Sequence, residues 1–504
     1  MNYTLRVYEI CPAGHMKVQL ALHTKYRLAA VRMHGCRPAT HGYAKSLLTK
    51  TQSITTIPPA HPMIEIPAHA LTVVERLERY GYEAYVVGGC VRDSLLGRKP
   101  KDWDVCTNAL PEEVLRVFKR FHVIKTGLQH GTVTVMVSHE PVEVTTFRID
   151  GNYTDNRHPD SVNFVSRVEE DLARRDFTIN AMAYNPTRGL VDAFDGQRDL
   201  QTGTIRCVGE PDARFNEDGL RILRALRFAA RYNFGIETET AFSIHRNRHL
   251  LENVSVERIF TELKGILMGE GVLGMMQAFP DVFTIIIPEL APAVGFDQRN
   301  PHHCYDVWTH TAHAVQAAPA NEVLRLALLL HDIAKPATFT QGEDGKGHFY
   351  DHGTKGAEMA RDILLHLKSD TATLQTVVTL VREHDSMLPT TAPGMRRLVG
   401  RLGLENLQLL LEMKQADMAA QSTHERPEKQ ATLREARLLL EDVLEEQPAF
   451  TVGDLQVNGR DLISLGAKPG PAMGDILKTL LAEVQDEILP NTRDAQLARA
   501  KELL

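Results

Sequence analysis

Two aspartates separated by one residue, Asp102 and Asp104, follow a pair of glycines, Gly88 and Gly89. Residues two apart on a strand point to the same face, so these carboxylates could share divalent metal ions. Paired glycines let backbone N–H groups approach phosphate oxygens closely. Phosphoryl transfer needs both parts, because metal ions neutralise charge on the attacking and leaving oxygens. Each pattern is also common in plain turns and solvated sheet edges, and only their combination indicates nucleotide chemistry.

Two short strands must position these residues. The apolar residues 85–87 are typical of a buried strand that ends at the glycine turn, and a helix opening after the glycines adds its positive N-terminal end. Residues 142–147 alternate like a second strand and bring a further carboxylate, Glu143. Glu143 is either a third catalytic carboxylate or a cross-strand ion-pair partner.

A helix is predicted over residues 216–228, with Asn216 as its N-cap. Asp218 and Arg221 stand three residues apart, so on one helix they lie side by side as an acceptor and a donor. Cytosine and adenine both present an amino donor beside a ring-nitrogen acceptor, which such an edge complements, whereas uracil and guanine reverse those roles. The pair therefore predicts selection of CTP and ATP. The alternative is that both residues only cap and brace the helix.

The glycine turn with its paired aspartates, the RRDFTINAM run at 174–182 and the acidic-to-arginine spacing at 217–221 resemble motifs of the DNA polymerase β-like nucleotidyltransferases. The resemblance is closest to the bacterial tRNA nucleotidyltransferases, or CCA-adding enzymes, and their relatives the bacterial poly(A) polymerases. It covers the chain from about Met63. It implies template-independent addition of CCA to the tRNA 3′ end from CTP and ATP, with release of pyrophosphate. An A-adding enzyme or a poly(A) polymerase is the alternative within this class.

The resemblance also implies roles for single residues. Asp102 and Asp104 would be catalytic and hold Mg²⁺, with Glu143 as a third carboxylate. Asp218 and Arg221 would act as an amino-acid template for the incoming base. Within the RRDFTINAM run, Arg175, Asp176 and Asn180 would contact the ribose and the triphosphate. The nucleotide-binding residues implied in this way are Gly88, Gly89, Arg92, Arg175, Asp176, Asn180, Glu217, Asp218 and Arg221.

A turn-rich polar stretch covers residues 148–165. It resembles the flexible loop that full CCA-adding and A-adding enzymes keep and that CC-adding enzymes lack. The stretch therefore argues against an enzyme that adds only CC. An ordinary surface loop is the other interpretation.

Histidines and aspartates recur in the second half of the chain at intervals typical of successive helices. Neutral imidazoles and carboxylates form a mixed nitrogen and oxygen ligand set that borderline metals accept. The pattern resembles the HD phosphohydrolase superfamily, which implies a divalent transition metal or Mg²⁺. It leaves open a degenerate helical remnant, and also a phosphohydrolase whose head is only a nucleotide-binding module. The implied ligands are His310, His331, Asp332, His352, His384 and Asp417.

The net charge of −7 does not favour a nucleic-acid binder, so tRNA binding must depend on local arginines. No apolar run approaches the roughly 20 residues of a membrane span, so no membrane partner is expected. Six cysteines without CxxC spacing predict free thiols in a reducing cytoplasm. The candidate phosphate contacts are Arg221, Arg224, Arg227, Arg231, Arg246, Arg248, Arg396, Arg397 and Arg401.

The chain of 504 residues is predicted to be an α+β protein with several domains. A polymerase-β-like nucleotidyltransferase head with a mixed sheet occupies 63–190, and an all-helical neck with base-reading and RNA-binding helices occupies 191–299. An HD domain follows at 300–425, and a helical tRNA-binding tail at 426–504. The basic residues 1–62 show no clear periodicity and are expected to be a disordered arm or a start-site artefact.

Overall fold

The structure is a computed structural model that describes residues 64–151, 162–299, 304–343, 345–422, 426–446 and 449–504. The predicted extension at 1–62, Met63, and residues 152–161 of the predicted flexible loop lie outside the described residues. Within the described ranges, no helix combines the length and hydropathy needed to cross a bilayer.

The head contains a central sheet flanked by short helices. Its elements are α1 (Ala68–Arg79), β1 (Ala84–Val87), α2 (Gly89–Leu95), β2 (Asp104–Thr107), α3 (Pro111–Val117), β3 (His122–Ile124), β4 (Thr132–Val137), β5 (Glu140–Thr146), β6 (Arg148–Asp150), β7 (Val162–Phe164), α4 (Val168–Ala173), β8 (Ala183–Asn185) and β9 (Gly189–Val191). Seven strands form one sheet in the order β3-β4-β5-β2-β1-β8-β9, and β6 pairs with β7 separately. Strands β2 and β5 run parallel while the other neighbours are antiparallel, so the predicted mixed sheet is confirmed.

Buried side chains hold the central strands of this sheet in place. All four residues of β1 are buried, as expected for a strand covered on both faces. Strand β4 alternates between buried and partly buried residues, which is typical of a strand with one covered face. Helix α1 buries Ala70, Val73, Val74 and Leu77, a single helical face, and contacts β1, β2, β4 and β5. The end of β1 and the start of β2 are thereby fixed side by side.

The neck is mostly helical. It comprises α5 (Gly196–Thr202), β10 (Thr204–Ile205), α6 (Pro211–Glu217), α7 (Arg221–Tyr232), β11 (Gly235–Ile236), α8 (Thr238–Asn247), α9 (Val256–Leu267), α10 (Val272–Ala278) and α11 (Pro280–Ile286). Helix α7 packs along α9. The short parallel pair of β10 and β11 is an addition to the predicted helices.

The single helix predicted over residues 216–228 is wrong, because two helices occupy this segment. Helix α6 ends at Glu217, and Asp218 is extended with φ −146° and ψ 106°. Helix α7 begins only at Arg221. Asp218 and Arg221 therefore lie on either side of a helix junction and not on the surface of one helix.

The predicted N-cap is wrong for the same reason. Asn216 lies in the last turn of α6, where its side chain donates to the Asp212 carbonyl oxygen at 2.8 Å. Close packing accompanies the break, since a Cβ at Gly219 would lie 2.9 Å from the Leu250 carbonyl oxygen. The chain turns here because the glycine lets α7 begin directly against the neighbouring backbone.

The body and the tail complete the chain with helices. The body contains α12 (Val307–Ala317), α13 (Glu322–Leu330), α14 (Lys335–Thr338), β12 (Phe339–Gln341), β13 (Gly347–Phe349), α15 (His352–His366), α16 (Thr371–Glu383), α17 (Ala392–Leu402) and α18 (Leu404–Ala420). The tail contains α19 (Arg426–Glu445), α20 (Gly459–Ser464), α21 (Pro471–Gln485) and α22 (Arg493–Leu503). Helix α19 packs on α17 and α18 of the body, whereas α20, α21 and α22 share a core of their own. The hairpin of β12 and β13 was not predicted.

Candidate active site and metal cluster

The turn between β1 and α2 is built around Gly88. Its φ of 79° lies in the region that favours glycine. A Cβ at this position would lie 2.8 Å from Arg175 Nη1, so the approach of the guanidinium also requires glycine. The Gly88 amide donates to the Met182 carbonyl oxygen at 3.0 Å, and Gly89 begins α2. The structure therefore brings the glycine turn and Arg175 together.

The carboxylates lie at the adjacent end of β2. Asp102 and Asp104 are both exposed while Trp103 between them is buried, which places the two carboxylates on one side of the chain. Asp104 is in register with Val87 on β1 and with Glu143 on β5. Asp102 precedes β2 by two residues, which corrects the prediction that both aspartates lie on one strand.

The neighbouring acids disfavour ionisation of Asp104. Burial, followed by the charges of Glu143 and Asp102, raises the pKa of Asp104 from 3.8 to about 6, while Arg175 opposes the shift. Because the side chain is exposed to solvent, the charges of Glu143 and Asp102 matter more for this shift than burial does. A group of carboxylates with excess negative charge is a donor set that fits hard divalent cations.

Asp176 is buried, and its carboxylate is fully engaged within the protein. Oδ1 accepts from the Phe177 amide at 2.8 Å and from Asn180 Nδ2 at 3.0 Å. Oδ2 accepts from Arg224 Nε at 2.9 Å and Nη2 at 2.6 Å. Burial opposes ionisation, but Arg224 holds the pKa of Asp176 well below its usual range. A ribose hydroxyl would have to compete with Arg224 for this carboxylate.

Arg92 supports the site from within the protein. It is only 5% exposed, and its guanidinium donates to Asp93 at 2.9 Å and to the side chain of Asn180. The same group lies 5.1 Å from the ring centroids of both Phe228 and Tyr232 on α7. Arg92 thus connects the glycine turn to the neck and braces Asn180.

The predicted base-reading residues meet at the junction of α6 and α7. Arg221 Nη1 lies 2.5 Å from Glu217 Oε2. Asp218 Oδ1 accepts from the Leu220 amide at 3.0 Å, and its Oδ2 lies 2.8 Å from Arg258 Nη2. Each of the two opposite charges therefore has a counterion of its own.

Sequence reasoning missed two of these contacts. Arg258 is 40 residues from Asp218, and Arg224 is 48 residues from Asp176. Ion pairs between packed helices have no fixed sequence separation, so neither spacing carries a local signal. The apolar face of α9 predicts packing but not the partner of its charged residues.

Most of the candidate phosphate contacts are already paired. The prediction that Arg396 is free to contact phosphate is wrong. This residue is 4% exposed and pairs with Glu446 and Glu487 where the body meets the tail. Arg227 pairs with Glu262 at 2.5 Å. Guanidinium groups that are buried and paired in this way are not free to contact phosphate, and the loss of their partners would leave an uncompensated charge.

The residues predicted from the HD pattern converge on one buried cluster. His310 Nε2 lies 3.3 Å from His331 Nε2 and 2.8 Å from Asp417 Oδ1. His352 Nε2 lies 3.1 Å from His384 Nε2. The carboxylate that joins both groups lies 3.3 to 3.7 Å from all four imidazoles and belongs to Asp332.

Backbone carbonyls contact all four of these imidazoles, and His310 Nδ1 lies 3.4 Å from the Ala420 carbonyl oxygen. The Nδ1 atoms of His331, His352 and His384 lie 2.7, 2.8 and 2.7 Å from backbone carbonyl oxygens. A proton on Nδ1 leaves the lone pair of Nε2 facing the cluster, as metal ligation requires.

The donor set fits a divalent cation. The Asp332 carboxylate is buried, and its Oδ2 lies 2.7 Å from Lys335 Nζ, while Oδ1 lies 3.7 Å from His352 Nε2 and 3.6 Å from His384 Nε2. Burial opposes protonation of His331, yet Asp332 and Asp417 raise its pKa to about 10. The cluster therefore demands positive charge, which a metal ion held by these imidazoles and carboxylates would supply.

Comparison with protein families assigns three segments of the chain. Residues 84–206 match the family described as the poly A polymerase head domain. Residues 233–293 match a probable RNA and SrmB-binding site of polymerase A. Residues 302–439 match the HD domain, and this segment contains the whole metal-type cluster.

Individual relatives are similar over most of the chain. A CCA-adding enzyme of Lactobacillus delbrueckii subsp. bulgaricus is 33% identical over 86% of this chain and 96% of its own. That of Latilactobacillus sakei is 33% identical over 86% and 98%. The crystal structure of the Bacillus stearothermophilus CCA-adding enzyme in complex with CTP is 28% identical, with a TM-score of 0.65 over 86% and 96%.

Proposed function

The chain belongs to the family of CCA-adding enzymes, and we propose that it adds C, C and A to tRNA 3′ ends. CTP and ATP are the donors, and pyrophosphate is released without a nucleic-acid template. The observation that carries the proposal is the Asp218 and Arg221 pair, which stands at the junction of α6 and α7, where Arg221 Nη2 donates to the Arg174 carbonyl oxygen of the head at 3.3 Å. In this proposal one fold combines carboxylates for phosphoryl transfer with an acceptor and a donor that together would complement cytosine and adenine.

We assign the transfer step to the end of β2. Asp102 and Asp104, with Glu143 as a third carboxylate, would hold Mg²⁺, which neutralises charge on the attacking and leaving oxygens when bound. The Gly88 amide already donates to Met182, so we assign the backbone contact to the Gly89 end of the turn, where the absence of side chains lets the triphosphate approach, and Arg175 beside Gly88 offers a guanidinium to it.

We assign base selection to the neck. The remaining lone pairs of Asp218 accept from the amino group of C or A, and Arg221 donates to the ring nitrogen, held in orientation by Glu217 at 2.5 Å. A uracil or guanine would leave polar groups unpaired, at a cost of about 1–3 kcal/mol per group. We assign the ribose contacts to Asp176 and Asn180. To accept from a ribose hydroxyl, Asp176 would give up part of its hydrogen bonding to Arg224.

A tRNA that lacks its last three nucleotides tests the activity directly. CTP alone is expected to extend it by two nucleotides, ATP alone by none, and the mixture by three. Gel analysis of the products against a tRNA that ends in CC and an unrelated RNA separates the alternatives. Addition of A to the shortened tRNA without prior C would favour an A-adding enzyme or a poly(A) polymerase instead.

The buried cluster supports a second candidate activity, a metal-dependent phosphohydrolase. Five of the six predicted ligands lie close enough together to hold metal ions, and Asp417 joins them 2.8 Å from His310, which favours a working metal site over a helical remnant. We propose a divalent transition metal or Mg²⁺, held by His310, His331, Asp332 and Asp417, with His352 and His384 available for a second ion. Their histidine content favours the transition metal.

Asp332→Asn is expected to abolish this activity and to leave CCA addition intact, because Asp332 lies outside the nucleotidyl-transfer site. Metal content by mass spectrometry and hydrolysis of p-nitrophenyl phosphate and its bis-ester measure the effect. Equal metal content in variant and wild type would contradict the metal site. Loss of CCA addition in the folded variant would instead favour the HD site as the main activity.

In this proposal the head at 63–190 performs the transfer and the neck at 191–299 reads the base. The HD domain at 300–425 holds the second metal site, and the tail at 426–504 binds tRNA. We further propose a cytoplasmic location. All four cysteines in the described ranges are free thiols, which is usual in a reducing compartment.

A further inference from the structure

Helix α9 contacts the turn between α6 and α7, residues 218–220, which contains the proposed base-reading residue Asp218. Its third residue, Arg258, pairs with Asp218 Oδ2 at 2.8 Å, and both side chains are largely shielded from water, with 25% and 16% exposure. One turn further along α9, Glu262 pairs with Arg227 of α7 at 2.5 Å. Residues four apart lie on one helical face, so this face of α9 fixes both the turn and the following helix.

Asp218 and Arg221 carry opposite charges and stand three residues apart in the chain. If nothing else held them, the simplest outcome would be an ion pair between the two. That pair would satisfy the acceptor and the donor against each other and hide both from an incoming base. In the structure each of the two residues pairs with another partner. Glu217 pairs with Arg221 at 2.5 Å, and Arg258 pairs with Asp218 at 2.8 Å.

We propose that Arg258 is a specificity-determining positioning residue for base selection. It keeps Asp218 apart from Arg221 and leaves further lone pairs of the carboxylate open to the amino group of cytosine or adenine. The Leu220 amide fixes the other oxygen at 3.0 Å, so the plane of the carboxylate is set from two sides. This inference rests on the proposed CCA addition, and it assigns to α9 a part in choosing the nucleotide.

Full-length Arg258→Ala tests the inference through rates of single-nucleotide addition with each of CTP, ATP, UTP and GTP. We expect the preference for CTP and ATP over UTP and GTP to fall roughly tenfold or more, as expected when a buried polar partner is lost. Arg258→Lys keeps the positive charge and is expected to restore part of the preference. Arg258→Gln keeps a donor without charge and covers the case in which the alanine variant does not fold.

Glu262→Gln is the matched control. It weakens the neighbouring ion pair on the same helix without touching Asp218, so the melting temperature should fall while the four nucleotide ratios stay at wild-type values. Unchanged ratios in folded Arg258→Ala or Arg258→Gln would overturn the inference and leave Arg258 as a structural brace. A wild-type enzyme that fails to add C and A would overturn the proposed function itself, a separate result visible before any variant is made.

Discussion

Asp104→Asn is expected to lower the rate of CMP and AMP addition on the order of a thousandfold or more without unfolding the protein. A carboxylate that holds a catalytic metal contributes several kcal/mol to the transition state, which corresponds to that loss. The side chain is exposed at the start of β2 and fills no part of the core. Single-turnover rates with saturating Mg²⁺ and tRNA lacking CCA measure the effect.

The stability of the same variant has a predicted sign. The pKa of Asp104 rises from 3.8 to about 6 in the folded protein, so the folded state binds its proton more tightly than the unfolded state. Wild-type stability from this group is therefore lost as the pH rises between these two values. With a metal chelator present, the melting temperature of Asp104→Asn relative to wild type should rise as the pH increases from about 4 to about 7. The rise should be modest because water reaches the side chain.

Glu140→Gln supplies the matched control for the lost rate. Glu140 is an exposed carboxylate on β5, three residues before Glu143, and it faces Val137 of the neighbouring strand instead of Asp104. Its substitution should leave nucleotide addition unchanged. Near-normal addition by Asp104→Asn would reject the assignment of the transfer site and favour the reading in which the HD cluster carries the main activity.

Local patterns predict the head well. The apolar residues 85–87 become the fully buried β1, and the alternation around Glu143 becomes β5, which brings that carboxylate into register with Asp104. These outcomes depend on strand periodicity and a glycine turn, both of which act over a few residues. The prediction that Asp102 and Asp104 lie on one side of the chain likewise depends on a pattern of only three residues.

The junction at Asp218 shows where local patterns end. Its neighbours are compatible with one continuous helix, and the prediction followed that helical pattern. The chain turns instead, where Gly219 packs against the Leu250 backbone and Arg258 reaches Asp218 from α9. Both contacts are tertiary, so their effect cannot be read from helix propensity, although Asp218-Gly219 is itself a dipeptide typical of turns.

The HD cluster is an intermediate case. Its histidines lie in or at the ends of separate helices, and for a single histidine on an apolar helix face core packing is the more common explanation. Convergence of the imidazole nitrogens to within 3.1 to 3.3 Å in each pair requires the packing of α12, α13, α15 and α16. The resemblance to a known ligand pattern supplied what periodicity could not.

The second large effect concerns the choice of nucleotide. Arg221→Ala is expected to reduce discrimination of CTP and ATP against UTP and GTP by about 1–3 kcal/mol, which is the cost of one unpaired polar group. Asp218→Ala should do the same from the acceptor side. Neither substitution removes a metal carboxylate, so Mg²⁺ binding at Asp102 and Asp104 should persist. All four incorporation rates and the melting temperature are the measurements.

The helix junction makes the competing account stronger than sequence alone suggested, because Asp218 accepts from the Leu220 amide and so caps the start of α7. Both accounts therefore predict a lower melting temperature for Asp218→Ala, and the melting temperature cannot separate them. The nucleotide ratios can, because a cap acts equally on all four substrates. Asp212→Asn on α6 weakens a more exposed pair with Arg246 at 2.9 Å and serves as the control for a substitution that affects stability alone. Ratios that stay fixed in Asp218→Ala and Arg221→Ala, as in that control, would reject the templating role.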